Sequence, residues 1–409
     1  MTASSSKLLL ENPMMARSLA LATILLFFGA HAGAETISER DVERRVLSHP
    51  EVAAARQNVA LATARQTTAG LYPNPSVAWQ REDFPGYERE DVVSLTLPVD
   101  VSGRRGAARA LGRAETASTR AGEARTRTAL TVRALDVFYA AIAAEQRVKV
   151  VRAAVTRLEE ATRVLAARQS AGNVSGYDTY RLQVALELAR SDLDRVSSEQ
   201  AALRAQLAFL VGMDERTLVL RATPASVAPP ATARNQEPRS LRDARSAISE
   251  ARKAGDAARS AWLPTLEVTA GFRVGAAEET RYGYVAGIAV ELPLWSRGQD
   301  VSAEARAREG LAAAEASALE HAAASEQLTA QQELQGALIE QQRLRGVARE
   351  RFEQVLRAAE SSYREGTRPL SELLDAHDMA RELELRSIDA ELRGRRASVR
   401  LRAARGEFE

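Results

Sequence analysis

The sequence predicts a mainly α-helical protein with a small β part, made of a duplicated unit of long coiled-coil helical hairpins plus two β-hairpins. Three observations lead to this fold class. Long segments without proline carry apolar residues at alternating spacings of four and three. Four short segments alternate apolar with polar or small residues. Several motifs occur twice in the same order, which indicates two similar halves.

The N-terminal segment 1–34 has the features of a secretory signal peptide. An apolar run, Leu19–Phe28, follows Arg17 and leads into Ala32–Ala34, which has the small-x-small pattern of a cleavage site. The run is too short to cross a bilayer as a helix. We therefore expect the mature chain to begin at Glu35 and to be exported.

The composition excludes several function classes. The chain has 409 residues, no cysteine and a formal net charge of +2. Without cysteine there are no disulfides, no thiolate chemistry, no sulfur-ligated metal and no lipid anchor on the mature N-terminus. Charges of both signs are interspersed in an exported chain, which argues against nucleic-acid binding. No nucleophile–base constellation indicates an enzyme, and no motif indicates a cofactor.

The duplication divides the chain. We expect a first repeat over 35–221, a Pro/Ala-rich connection over 222–238 and a second repeat over 239–409. Three pairs of motifs define the match: LYPNPSV (Leu71–Val77) with WLPTLEV (Trp262–Val268), LTLPVDVSGRR (Leu95–Arg105) with VELPLWSRGQ (Val290–Gln299), and AGNVSGYD (Ala171–Asp178) with EGTRPLSE (Glu365–Glu372).

Each repeat contains two short segments with a period of two residues, which is typical of strands whose faces meet different environments. In the second repeat, Glu267 and Arg273 are expected on the face opposite Leu266. If Leu266 faces lipid, these two residues would face the lumen of a barrel formed by the strands. A solvated strand face is the simpler alternative. The four strands are expected near 75–81, 91–98, 265–274 and 283–292.

The remaining segments are typical of long supercoiled helices. Apolar residues keep the four–three spacing from Leu130 to Leu165 and again from Leu182 to Leu210. Because no proline lies between Arg104 and Ala171, that arm can reach about 100 Å. The second long arm, Val301 to Glu365, has a less regular pattern.

The strands are too few to complete a membrane structure within one chain. No second hydrophobic segment has the length of a membrane helix, so any crossing must use strands. Four strands cannot close a barrel, and open strand edges are not tolerated in lipid. The sequence therefore predicts an oligomer in which several chains contribute strands.

Five motifs in register resemble the outer-membrane efflux ducts of the TolC family. They are GLYPNP, LPVDVSGRR, LPLWSRGQ, GNVSGYD and YREGTRPLSELLDAHD, and the resemblance runs from about Thr36 to the C-terminus. Within the family the chain is most similar to the CzcC-like heavy-metal efflux branch. The segments AGLYPNPSVAWQREDFPG, DVSGRR and SYREGTRPLSELLDAHD carry that similarity.

The resemblance implies a homotrimer whose twelve strands form a barrel in outer-membrane lipid, continued by a periplasmic α-barrel. The far end would meet a periplasmic adapter and an inner-membrane pump. The duct would be a passive conduit, and the branch implies divalent heavy-metal cations of the cobalt, zinc or cadmium type. Two alternatives stay open: a duct of this kind for drugs, solvents or a polypeptide, and a periplasmic coiled-coil structural or adapter protein.

Two glycines mark the expected tips of the helical hairpins, near 172–176 and 366–371. Glycine adopts the left-handed conformation that ends a helix at low cost. Pro369 can begin the next helix, and Ser371 or nearby carboxylates can bond its free N–H groups. The resemblance places adapter contacts at the tips, on Gly172, Val174, Ser175, Gly366, Leu370 and Ser371.

The resemblance also implies a periplasmic gate. Tyr363 and Arg368 would tie the inner hairpin to its neighbour, with Asp178 as the partner of Tyr363. Glu372 and Asp375 lie three residues apart on one helix face. A trimer would turn them into two carboxylate rings, which favour cations. The alternatives are that the acids complement a helix dipole and that Tyr363 packs the hairpin.

A tight metal site is not expected. The mature chain has three histidines, His49, His321 and His377, and none has a partner at ligand spacing. Asp375, His377 and Asp378 could form a weak, transient cation site. A solvated helix surface is the alternative for these three residues.

Overall fold

The computed structural model describes residues 35–83, 85, 89–170, 176–221, 237–276, 279–295 and 297–409. The predicted signal peptide, most of the first predicted tip and most of the predicted connection lie outside this part. The helices are α1 (Glu39–Val46), α2 (Pro50–Ala69), α3 (Arg104–Ser170), α4 (Gly176–Val211), α5 (Arg239–Ala258), α6 (Gln299–Arg343), α7 (Arg349–Glu365) and α8 (Leu370–Ala404). The strands are β1 (Glu35–Ile37), β2 (Ser76–Glu82), β3 (Arg89–Val99), β4 (Leu218–Leu220), β5 (Thr265–Ala276) and β6 (Thr280–Glu291).

The protein is mainly helical with a small β part, which confirms the predicted class. The longest helix, α3, has 67 residues and therefore extends about 100 Å. Among the helices of the described ranges, none is both long and apolar enough to span a membrane.

Near the sheet, α3 packs against α5, and α5 packs against α6. Their contacts are made by small side chains, so the helix backbones can approach closely. Three successive clusters each take an alanine from α3, one from α5 and one from α6. They are Ala110 with Ala254 and Ala305, Ala117 with Ala247 and Ala312, and Ala121 with Ala244 and Ala316.

A small parallel sheet was not predicted from the sequence. Strands β1 and β4 pair over three residues, from Glu35 opposite Leu218 to Ile37 opposite Leu220. Beside them, Arg402 bonds Glu43 at 2.9 Å and also contacts Glu39, which accepts the hydroxyl of Tyr139. Strands of three residues are too short for a periodicity to identify. These contacts join the first helix of the described chain, at Glu39 and Glu43, to its last helix, at Arg402.

The main sheet has four antiparallel strands in the order β2–β3–β5–β6. Val77 lies opposite Leu95, and Leu97 opposite Val268, which in turn lies opposite Ile288. Strands β2 and β6 each have one edge without a partner strand in the described chain. The expected and observed strand bounds differ by at most three residues.

Two glycines hold the sheet closely against the helices. Gly298 has φ +85°, and a Cβ placed there would lie 2.3 Å from the Cβ of Ala261. Gly103 has φ +74°, and a Cβ there would lie 2.4 Å from the Oγ of Ser260. Because neither position has room for a methyl group, the joints between strands and helices are tightly packed.

The two long arms differ in continuity. The second arm is interrupted at Leu344–Ala348, a π-helical segment between α6 and α7. Gly346 has φ −86° and ψ −126°, which is not helical. Below this break, α7 and α8 form the second hairpin, and α8 also packs on α3.

Candidate functional site

The tip between α7 and α8 forms a Schellman turn. Gly366 has φ +79°, and its N–H bonds the carbonyl of Tyr363 at 3.1 Å. The N–H of Thr367 bonds the carbonyl of Ser362 at 3.0 Å. These are the two bonds of that motif, with the glycine in the left-handed position. The predicted turn at Gly366 is therefore present.

The start of α8 differs from the expectation for Ser371. Pro369 is the N-cap and makes no side-chain cap, and the helix begins at Leu370. Ser371 is then the second helical residue, so its hydroxyl does not occupy the capping position. Glu372 pairs with Arg368 through an Oε2–Nη1 contact of 2.5 Å. Arg368 therefore has a partner within its own hairpin.

The acidic residues of α8 lie on the solvent side of the helix. Glu372, Asp375 and Asp378 are exposed, whereas Leu373 and His377 are buried. Asp378 lies 3.6 Å from Arg381. The carboxylate of Asp375 is thus accessible, and that of Glu372 is accessible beside its partner Arg368.

Tyr363 is only 5 % exposed and belongs to the tip cluster, the apolar core between α3, α4, α7 and α8. Asp178 is half-buried in the first turn of α4. The burial of Tyr363 favours the packing interpretation, and its contact with Asp178 stays a prediction. The tip cluster consists of Val155, Leu158, Ala161, Leu165, Leu182, Leu186, Ala189, Tyr363, Leu370, Leu373 and Leu374.

The expected adapter contacts fall into three groups. Gly366 is exposed and Ser371 is half-buried, so both are accessible. Leu370 is 3 % exposed and packs in the tip cluster. We therefore correct its role from surface contact to core packing, because burial in the hairpin core leaves it no surface to offer. The other three candidates, Gly172, Val174 and Ser175, lie outside the described residues.

His377 lines a pocket of about 250 Å³ between α3, α7 and α8. It is 8 % exposed, and its Nδ1 has no hydrogen-bond partner among the described residues. Burial lowers the pKa of His377, and Arg157 lowers it further, while Glu360 and Asp378 oppose that shift. The imidazole is therefore neutral at neutral pH.

This burial rules out both interpretations of His377, as part of a weak cation site and as part of a solvated helix surface. His377 lies inside the helix packing, whereas Asp375 and Asp378 are exposed, so the three do not converge on one ion. Within the described ranges, no cluster of three or more His, Asp or Glu residues could hold a metal.

One face of the main sheet is apolar and exposed. On the opposite face, Thr96 and Thr269 share a hydrogen bond of 2.9 Å, and Arg273 pairs with Glu90 at 3.1 Å. Glu267 lies on the same face as Arg273 by strand alternation. The exposed apolar residues are Val77, Trp79, Leu95, Leu97, Val268, Phe272, Tyr282, Tyr284, Ile288 and Val290.

A second exposed apolar surface was missed at the sequence level. Tyr177, Tyr180, Val184 and Leu188 lie on α4 and are 59–71 % exposed. Their spacings of three, four and four residues place them on one side of the helix. The four–three series that begins at Leu182 predicts the buried side of α4, and it does not indicate a second apolar stripe on the same helix. We call these four residues the α4 stripe.

The structure was compared with known proteins. No family model matches the sequence, and no curated protein matches it. Among solved structures, the outer membrane protein VceC from Vibrio cholerae superposes with a TM-score of 0.74 at 16% identity, covering 90% of this chain and 96% of that one. CusC superposes with 0.70 at 16% identity, covering 90% and 92%. The outer membrane channel MtrE of Neisseria gonorrhoeae, in its open state, gives 0.63 at 17% identity, covering 90% and 88%.

These neighbours define the fold. The likeness extends over nine-tenths of the chain and of two of these neighbours. The chain therefore has the fold of bacterial outer-membrane channels.

Proposed function

We propose that this protein is the outer-membrane channel of a tripartite efflux system of the TolC type. The observation that carries the proposal is the four-stranded sheet, which exposes an apolar face and joins α3 and α6 at tight glycine contacts. A soluble protein does not expose an apolar surface of this extent without a partner or a membrane. The fold shared with outer-membrane channels supports the same assignment.

The open sheet edges support a homotrimer. Strands β2 and β6 lie at the edges of the sheet, and unpaired N–H and C=O groups are costly in lipid. Pairing β6 of one chain with β2 of the next would join three sheets into twelve strands. The α4 stripe offers a lateral contact between the helices of neighbouring chains. Trimerisation would thus give a partner to the open edges of the sheet and to the α4 stripe.

The order of elements supports a duplicated unit. Helix α2, strands β2 and β3, then α3 and α4 correspond to α5, strands β5 and β6, then α6–α7 and α8. Each half contributes two strands to the sheet and one helical hairpin to the far end. The two halves together would build one third of a channel wall.

The tip between α7 and α8 is the proposed gate and partner surface. Glu372 and Asp375 are exposed on α8, and Arg368 beside them holds Glu372. In a trimer these acids would surround the axis and attract cations. The periplasmic adapter would contact the exposed tip around Gly366 and Ser371, and the inner-membrane pump would supply the energy.

The proposed cargo is divalent heavy-metal cations. The sequence resemblance to the CzcC-like branch supports this, as do the exposed acids at the tip. A conduit needs no tight site, because pump and adapter can select the substrate. Deleting the gene and complementing it should restore tolerance to cobalt, zinc or cadmium. Restored tolerance to drugs or solvents alone would assign the duct to that cargo instead.

The channel itself is tested with the purified protein in detergent and in planar bilayers. We expect a trimer by native mass spectrometry, because four strands cannot close a pore, and discrete conductance steps after insertion. A folded monomer with full β content would rule out the barrel. A soluble, non-conducting trimer would favour a periplasmic coiled-coil protein.

The gate is tested with Asp375→Asn. Removing one ring of charge should reduce the preference for cations over anions without changing the size of the aperture. The measurement is the reversal potential in a salt gradient. Glu384→Gln is a matched control, because Glu384 is also exposed on α8 but lies nine residues further, on the opposite side of the helix. Equal selectivity in all three proteins would mean that the acids only stabilise the helix.

A further inference from the structure

A cleft of about 780 Å³ opens where α5 ends and α6 begins, at the end of the main sheet. We call it the junction cleft. Four arginines and two carboxylates give its walls a formal charge of +2. These residues are Arg252, Asp256, Arg259, Arg297, Arg306 and Glu309.

The ion pairs leave two of these arginines uncompensated. Arg252 bonds Glu309 through an Nε–Oε1 contact of 3.0 Å, and Arg259 bonds an oxygen of Asp256 at 3.1 Å. Arg297 and Arg306 are exposed, and in the described part of the chain neither has an ion-pair partner. The excess positive charge of the cleft therefore lies on Arg297 and Arg306.

The turn that carries Arg297 is fixed in place. The side chain of Gln299 accepts the N–H of Arg297 and donates to the carbonyl of Trp295, both at 2.6 Å. Gly298, the N-cap of α6, packs on Ala261 and provides no side-chain cap. The first turn of α6 therefore has N–H groups without helical partners beside the cleft, although Asp300 in that turn opposes an anion.

The position of the junction cleft relates it to the apolar face of the sheet. Trp262 and Trp295 flank it in the chain and are 60 % and 86 % exposed. Leu292 and Leu294, at the end of β6, are also exposed. Exposed indole rings next to an apolar strand surface are typical of the level of lipid headgroups. The cleft thus adjoins that level on the side of the helices.

We propose that the junction cleft binds the phosphate of an anionic phospholipid in the leaflet that faces the long helices. The inference rests on the proposed function, because it requires the sheet to lie in a membrane. Arginine forks match phosphate oxygens in pairs, and Arg297 and Arg306 supply two free forks. The acyl chains would then lie along the apolar strands above.

The test measures lipid binding to the purified full-length protein by native mass spectrometry. Phosphatidylglycerol and phosphatidylethanolamine with identical acyl chains are compared. We expect preferential binding of phosphatidylglycerol, weakened about thirtyfold when both arginines become alanine (R297A with R306A), since each basic residue near a membrane contributes about fivefold. Arg308→Ala is the matched control, because Arg308 lies on α6 and pairs with Glu304 outside the cleft.

Two further arms identify the source of the phosphate. Glycerophosphoglycerol and inorganic phosphate are added as competitors at the concentrations at which the lipid binds. If either one displaces the lipid completely, the cleft binds free anions and the lipid proposal fails. Equal binding of the two lipids, or unchanged binding in the double variant, would also overturn it.

Folding and function are monitored separately. The lysine pair, R297K with R306K, keeps the charge and should retain most of the lipid preference if the alanine pair does not fold. Single-channel conductance is recorded for each protein. A wild-type protein that conducts but shows no lipid preference refutes only the lipid site. Absence of any conductance refutes the proposed channel instead.

Discussion

The two helical hairpins have the same place in the fold but differ in construction. The first contains α3, an uninterrupted helix of 67 residues, followed by α4. The second reaches its tip through α6 and α7, which are separated by the π-helical segment around Gly346. One hairpin is therefore a continuous support, and the other has a joint about 20 residues above its tip, from Gly346 to Gly366.

The difference indicates which parts of the two hairpins are held by packing and which can bend. Along α3 the apolar positions keep one repeat and remain buried from Leu130 to Leu165. The hairpins share a core at the tip cluster, to which α3, α4, α7 and α8 all contribute. The break above it is exposed at Arg345 and Gly346. Its ties to α8 are polar, from Gln341 to the carbonyl of Ala390 at 3.3 Å and from Arg345 to Glu391 at 2.6 Å. We infer that the tip is held by packing, and that freedom of movement lies at the break.

The largest effect is expected from removing packing that the hairpins share. Leu182 on α4 is fully buried in the tip cluster. Replacing it with alanine should lower the free energy of opening the tip by about 3 kcal/mol, because the cavity cannot refill. Amide hydrogen exchange on α4, α7 and α8 measures this. Leu328→Ala is the control, since Leu328 on α6 is 60 % exposed. Loss of protection confined to α4 would mean that the hairpins do not share a core.

A smaller effect is expected from repairing the break. Gly346→Ala should favour the regular helix and increase the protection of the Leu344–Ala348 amides about fivefold, since alanine is better than glycine in a helix by about 1 kcal/mol. Gly336→Ala is a matched control, because Gly336 lies inside α6 and, like Gly346, has free space around a Cβ. If both variants change the break equally, Gly346 is not a joint.

The smallest effect concerns acid. Burial lowers the pKa of His377, so the open tip takes up a proton more readily than the packed tip. The contribution of the neutral, buried His377 to tip stability is therefore fully present above the ordinary histidine pKa, about 6.5, and decreases as the pH falls through and below it. Among the described residues, the charged groups that line the pocket with His377 are Arg157, Glu160, Glu360 and Arg364, and Asp378 acts on it from α8.

The measurement is tip opening by amide exchange, corrected for intrinsic rates, at neutral and mildly acidic pH. His377→Gln should remove the acid-sensitive part of the opening. His321→Gln should not, because His321 is exposed on α6. Equal acid sensitivity in the wild-type protein and in His377→Gln would assign the effect to the carboxylates instead.

Much of the helical core could be predicted from the sequence. A strict repeat marks one side of a helix, and Leu165 and Leu182, which end and begin the two predicted repeats, are both buried. The turn at Gly366 could be predicted as well, because glycine reaches the left-handed conformation at low cost. The strands could be located because alternating apolar and polar residues give each strand one apolar face.

Other features could not be predicted because they depend on tertiary contacts. His377 is buried by packing against α7 and against α3, and α3 lies far from it in the sequence. Pro369, and not Ser371, occupies the N-cap position of α8, and the residue that occupies this position depends on how the turn closes. The junction cleft gathers arginines from Arg252 to Arg306, and a spacing of that kind has no periodicity. The trimer, the gate contacts and the cargo remain proposals.

The contact between Gly298 and Ala261 has a mechanical consequence. Since the joint between sheet and helix has no room for a methyl group, α6 is closely held at that end. We therefore expect a movement of the second hairpin to pivot at Gly346, where the helix is interrupted. The arm below that pivot is about 30 Å long, so a bend of about 10° would shift the tip by about 5 Å. The hairpin would then act as a lever, because a small angular change at the break becomes a larger displacement at the tip.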